Sequence, residues 1–100
     1  MDKDFINSLL LTSVKNTNIE TNAVDFYLFG SFLYSKNPND IDLLIVYNSN
    51  KVGITDVLSL RKTIYNLFLL NHSLIADITI LSKQEEREVN FISSERAEKL

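Results

Sequence analysis

The chain predicts a small α/β fold of the α+β kind, a mixed β-sheet of three or more strands packed with helices. Three observations predict it. Short runs rich in β-branched and aromatic residues occur at 23–29, 40–47 and 73–81. Apolar residues at helical spacing occupy the segments before, between and after them. The run at 40–47 becomes apolar on both faces beyond its aspartates, with Leu44 and Val46 on one and Ile41, Leu43 and Ile45 on the other. A strand of that kind belongs in the middle of its sheet, under helices. The 100 residues carry no repeat, low-complexity tract or linker, so one domain, 1–100, is expected.

Taken in order, residues 4–16 place Phe5, Ile6, Leu9, Leu10 and Val14 on one helical face, with Asp2 or Asp4 as the cap. Asn16-Thr17-Asn18 ends that pattern and begins a polar connection. The first strand, 23–29, stops at Gly30, and residues 31–34 suit a short helical turn. Residues 35–39 contain proline, two asparagines and serine, each a turn former, and residues 48–53 form a second turn. The longest helix is expected at 55–72, capped by Thr55 and carrying Val57, Leu58, Leu60, Ile64, Leu67, Phe68 and Leu70 inward. The third strand, 73–81, is interrupted by Asp77. Ser82 with Glu85 three places on fits a capping box that opens a last helix, running to about Leu100 with Val89, Phe91 and Ile92 inward.

Composition narrows the chemistry. There is no cysteine and only one histidine, which excludes disulfides and thiolate sites and argues against a zinc site built from several imidazoles. The net charge of −3 argues against a long nucleic acid as partner, since that needs many Lys and Arg contacts to phosphates. A single nucleotide remains open. The first residues show no basic region followed by a long apolar run, and the longest apolar run, 67–70, is far too short to span a bilayer. A cytoplasmic protein without a membrane partner is expected.

Asp40, Asp42 and Asp77 are the only charged residues inside the two most apolar strands. Alternation puts Asp40 and Asp42 on the same face, where two carboxylates repel each other unless a cation neutralises them. If the strands at 40–47 and 73–81 are neighbours, the three carboxylates converge at one end of the sheet. Such a trio suits two Mg²⁺ ions, which take carboxylates together with substrate phosphates and water. Two metals can activate an attacking oxygen and stabilise a leaving one in phosphoryl or nucleotidyl transfer. Asp77 then has two candidate roles, metal ligand and acceptor of the attacking group's proton. Gly30-Ser31 fits the same site, because glycine allows close backbone approach and the amides of a helical turn, with the Ser31 hydroxyl, can donate to phosphate oxygens.

Phe29-Gly30-Ser31, eight further residues and then Asp40-Ile41-Asp42-Leu43-Leu44-Ile45-Val46 resemble the signature of the DNA polymerase β-like nucleotidyltransferase superfamily, and the short, single-lobed chain looks like its minimal nucleotidyltransferases. The resemblance covers about residues 23–81, with Ala76-Asp77-Ile78 matching the third carboxylate. It implies a nucleotidyltransferase-like fold in which Gly30 and Ser31 hold the nucleotide phosphates. Asp40 and Asp42 bind two Mg²⁺ ions, and Asp77 assists attack by an acceptor hydroxyl. It also implies an NTP as substrate, ATP favoured, a protein partner or homodimer that brings the acceptor, and a toxin–antitoxin setting with this chain as antitoxin. Two departures stand out. Phe32 follows Gly-Ser where many members have a basic residue, which leaves Lys36 to supply positive charge to the phosphates, and the spacer is slightly short. A catalytically silent binding module is therefore the competing expectation, and transfer to a small molecule such as an aminoglycoside a third.

Other residues have plainer readings. Asp40 could cap the turn after Pro38. His72 suits the carbonyl end of the long helix, and Tyr27, Tyr47 and Tyr65 suit the core, with Tyr34 open between core and base stacking. Asp25 reads as surface, and the charges at 83–87 and 95–99 as solvated helix faces. Phe68, Leu69, Leu70 and Ile92 are expected to be buried first, with an interface as their alternative use.

Overall fold

The computed structural model describes residues 2–33 and 40–100. Tyr34 and the expected loop 35–39, with Lys36 and Pro38, lie outside the described residues. The fold is a small α+β domain, a four-stranded mixed sheet packed with helices.

Helix α1 (Lys3–Lys15) starts where Asp2 Oδ1 accepts the Phe5 amide at 2.9 Å, satisfying one of the amides that a helix start leaves unpaired. It buries Ile6, Leu10 and Val14, while Phe5 stays exposed. After a 3₁₀ turn at Thr21–Ala23, strand β1 (Val24–Phe29) alternates buried and half-buried residues. A second 3₁₀ turn, Gly30–Leu33, follows directly. Strand β2 (Asp40–Tyr47) pairs antiparallel with β1. Helix α2 (Ile54–His72) crosses to strand β3 (Ile75–Ser82), which lies parallel to β2.

The sheet order is β3-β2-β1-β4, so β2 is interior, as its apolar run predicts. Ile41, Leu43 and Ile45 meet the core formed with α1 and α2 through Ile6, Leu10, Val57, Leu60, Ile64 and Phe68, all fully buried. Leu44 and Val46 are also buried, on the opposite face. No helix among the described residues is long and apolar enough to cross a membrane.

Four expectations are corrected. The residue preceding α2 is Gly53, not Thr55, and it makes no side-chain capping bond; the helix begins at Ile54, so its cap lies two residues earlier than expected. Within α2 only one flank is covered, so Leu58, Tyr65, Leu69 and Leu70 are exposed and not in the core, Leu70 at 79%. His72 does not cap the carbonyl end. The amides of Ser73 and Leu74 bond there instead, to the carbonyls of Leu69 and Phe68, while the His72 ring meets Phe5 edge-on at 5.1 Å. The last helix breaks at Asn90, which adopts left-handed backbone (φ 54°, ψ 44°). Asparagine tolerates that conformation better than other side chains do. The break separates helix α3 (Lys83–Val89) from helix α4 (Phe91–Ser94), and the chain then forms strand β4 (Glu98–Lys99) against β1. Val89 is exposed, not inward. The capping box itself is complete, with Ser82 Oγ accepting from the Glu85 amide at 3.1 Å and Glu85 Oε1 from the Ser82 amide at 2.8 Å.

Ser73 ends α2 at φ 54°, where a glycine carries no side-chain penalty. Ser73→Gly is expected to stabilise the fold by roughly 0.5–1 kcal/mol. Urea unfolding should show a higher midpoint at an unchanged slope.

Candidate functional site

The carboxylates are positioned by strand register. Asp42 is paired with Asp77 across the parallel β2–β3 ladder, and register partners share a face. Asp40 lies two residues before Asp42 and therefore on that same face, beside Ile75. All three stand at the end of the sheet where β2 and β3 begin. Asp42 is half-buried, whereas Asp40 and Asp77 are exposed. On the other side of β2, Phe29 is the antiparallel partner of Asp42 and brings the Gly30 turn to the same rim.

Gly30 is essential to that arrangement. Its φ is +73°, a backbone region that L side chains rarely occupy. A Cβ built there would run into the Asp42 carboxylate, with the Asp42 Cγ 3.0 Å and Cβ 3.3 Å away. The Asp42 side chain thus lies against bare backbone, in a hollow that exists only because residue 30 lacks a side chain. Gly30→Ala is expected to cost about 1–2 kcal/mol from the left-handed backbone alone and to push the Asp42 carboxylate aside. Denaturant unfolding reads the first effect and the Asp42 side-chain carboxyl ¹³C shift the second.

Sequence reasoning missed the wall beside this rim. Phe29 shares the face of Asp42, and its ring meets Phe91 edge-on at 5.0 Å and 87°. Helix α4 thus packs beside the carboxylate face, held there by the reversal at Asn90 and by the Ile92 amide bonding to Glu86 Oε2 at 2.9 Å. The cue was available in Asn90, one of the few residues that readily take a left-handed turn.

Among the expected phosphate-binding residues, Gly30 is at the rim and Lys36 lies outside the described residues. Ser31 follows Gly30 in the same 3₁₀ turn. Phe32 packs against the hydrophobic core, so the position where many minimal nucleotidyltransferases carry a cation is occupied by an inward-packed ring.

The donor set suits a hard divalent cation, being all carboxylate oxygen with adjacent backbone and no sulfur or imidazole. Asp42 lies against the backbone of Gly30 and is the register partner of Asp77. As placed, no group of three or more His, Cys, Asp or Glu side chains among the described residues is drawn together closely enough to hold a metal. Compared with family models, curated proteins and solved structures, the chain matches none. The functional reading therefore rests on these residues and on the register of the sheet.

Proposed function

We propose that the chain is a metal-dependent nucleotidyltransferase that moves a nucleoside monophosphate from an NTP, ATP favoured, to a hydroxyl on a partner protein. The single observation that carries this reading is the Asp42–Asp77 register pairing beside the bare backbone of Gly30. Asp40, Asp42 and Asp77 would hold two Mg²⁺ ions. When bound, these supply charge neutralisation for the triphosphate and for the leaving pyrophosphate. The chain's own residues do the rest. The backbone at Gly30-Ser31 lets phosphate oxygens approach closely. Asp77, exposed at the rim, is open to an incoming acceptor and takes its proton. In the balanced step the acceptor oxygen bonds to the α-phosphorus, the bond from that phosphorus to the bridging oxygen breaks, and pyrophosphate leaves. The domain is small, so the acceptor is brought by another protein or a second copy, and an antitoxin role is one setting for such a pair.

Calorimetry with Mg²⁺ and a non-hydrolysable ATP analogue tests the reading. Heat that requires both metal and nucleotide is expected, and a titration with no metal-dependent heat would overturn it. The second reading, a catalytically silent module that acts by protein contact, is favoured by the inward packing of Phe32 and by the separation of the three carboxylates. Transfer to a small aminoglycoside-type acceptor has no such observation in its favour.

A further inference from the structure

Strand β3, at one end of the sheet order, is an edge strand. It is eight residues long, Ile-Ala-Asp-Ile-Thr-Ile-Leu-Ser, and lacks the lysines, prolines and bulges with which proteins usually guard an open edge. No strand lies beyond it among the described residues, so apart from the Ser82 amide, which bonds Glu85 Oε1, its outward amides and carbonyls have no ladder partner among them. Along this edge runs a groove of about 480 Å³ lined by Leu58, Arg61, Lys62, Tyr65, Ala76 and Ile78. Its helix side belongs to a longer stripe. Ile54, Leu58, Tyr65 and Leu69 follow helical spacing along α2, and each is between 38% and 47% exposed. Arg61 and Lys62 stand in the middle of that stripe, and the ion pairs among the described residues, Lys3–Glu98 and Lys99–Asp25, involve neither.

We propose that this groove binds an extended, acidic segment of a partner protein, which joins the sheet as a strand beyond β3. An extended segment is required because only a strand satisfies the open ladder of β3. Side chains on one face of that strand, at every second position, enter the groove against Leu58, Tyr65 and Ile78. A carboxylate among them meets Arg61 and Lys62. A second copy of this chain fits less well. Symmetric pairing edge to edge would bring Arg61 and Lys62 of one copy against the same two cations of the other, in a partly desolvated cleft. A nucleic acid fits less well too, since two cations in an apolar groove offer few phosphate contacts. The inference is independent of nucleotide transfer, because Ala76 and Ile78 lie on the face of β3 opposite Asp77.

The test uses the whole chain and a fluorescein-labelled peptide of eight residues, alternating threonine and leucine, with glutamate in place of one central leucine. Saturable binding by anisotropy is expected, at least about tenfold tighter than for the same peptide carrying lysine there. Amide exchange should slow at the outward-facing amides of β3, at alternate residues within 75–81. Arg61→Glu combined with Lys62→Glu, both exposed positions, should reverse the preference between the two peptides. The peptide pair alone keeps the test decisive should the double variant fail to fold. Equal affinity for both peptides, protection away from β3, displacement by oligothymidine, or a dimer that occupies the β3 edge would each overturn the proposal.

Discussion

Asp42→Asn is expected to abolish metal-dependent nucleotide binding, with affinity for Mn²⁺ in the presence of an ATP analogue falling on the order of 100-fold or more. The substitution keeps the shape that rests against Gly30 and removes the formal charge, so the loss would report cation binding and not a vacated hollow. Changing a residue that merely supports a metal ligand typically costs 10–100-fold, and loss of a ligand itself should reach the upper end or exceed it. Asp77→Asn should behave similarly in the binding assay. Its effect on stability should be small, because Asp77 is exposed and its register partner is another carboxylate. Asp77→Asn is therefore expected to unfold no earlier than the parent. Weaker metal binding without loss of stability is what carboxylates kept for function should give. Calorimetric titration alongside urea unfolding of both variants reads the two effects. Unchanged metal-dependent heat in Asp42→Asn would remove the transferase reading and leave the silent module.

Phe68→Ala should produce the largest loss of stability, about 3–5 kcal/mol, because its fully buried ring fills space between α2 and the sheet that Ile64 and Leu60 cannot occupy alone. Against a total of roughly 5–15 kcal/mol for a domain, that is enough to leave the variant partly unfolded under mild conditions. Leu70→Ser, two residues away, should change stability by no more than about 0.5 kcal/mol, since the Leu70 side chain is mostly in solvent. Urea midpoints for the two variants separate these outcomes. Near-equal losses would mean that α2 is rotated relative to the packing described above.

That contrast also shows what the sequence could not decide. Phe68, Leu69 and Leu70 are consecutive apolar residues, and periodicity alone cannot say which of them faces the sheet when the exposed side of the helix is apolar as well. Strand β2 was legible because Leu43, Leu44, Ile45 and Val46 leave no polar face, which only an interior strand permits. The aspartates were legible as a group for a similar reason, being charges where charge is costly. That they share one face depended on β2 and β3 being neighbours in one particular register, a long-range fact that local spacing does not contain. The C-terminal region differs because a helical pattern continues through Asn90, whereas left-handed backbone at Asn90 and again at Arg96 redirects the chain into α4 and then a two-residue strand. Ser82 with Glu85 was read correctly because a capping box is a local bond pattern.

The mixed direction of the strands bears on how the molecule assembles in time. Pairing of 29 with 42 closes a short excursion of chain, whereas pairing of 42 with 77 must wait for the whole of α2 to cross over. Each doubling of the closed segment adds about 0.6 kcal/mol to the entropic barrier, and the second closure is more than one doubling longer than the first. The Gly30 hollow and its carboxylate therefore belong to an early hairpin, and the opposing carboxylate arrives late. A nascent chain emerging from synthesis would carry Asp42 against Gly30 before the crossover helix has brought Asp77 alongside.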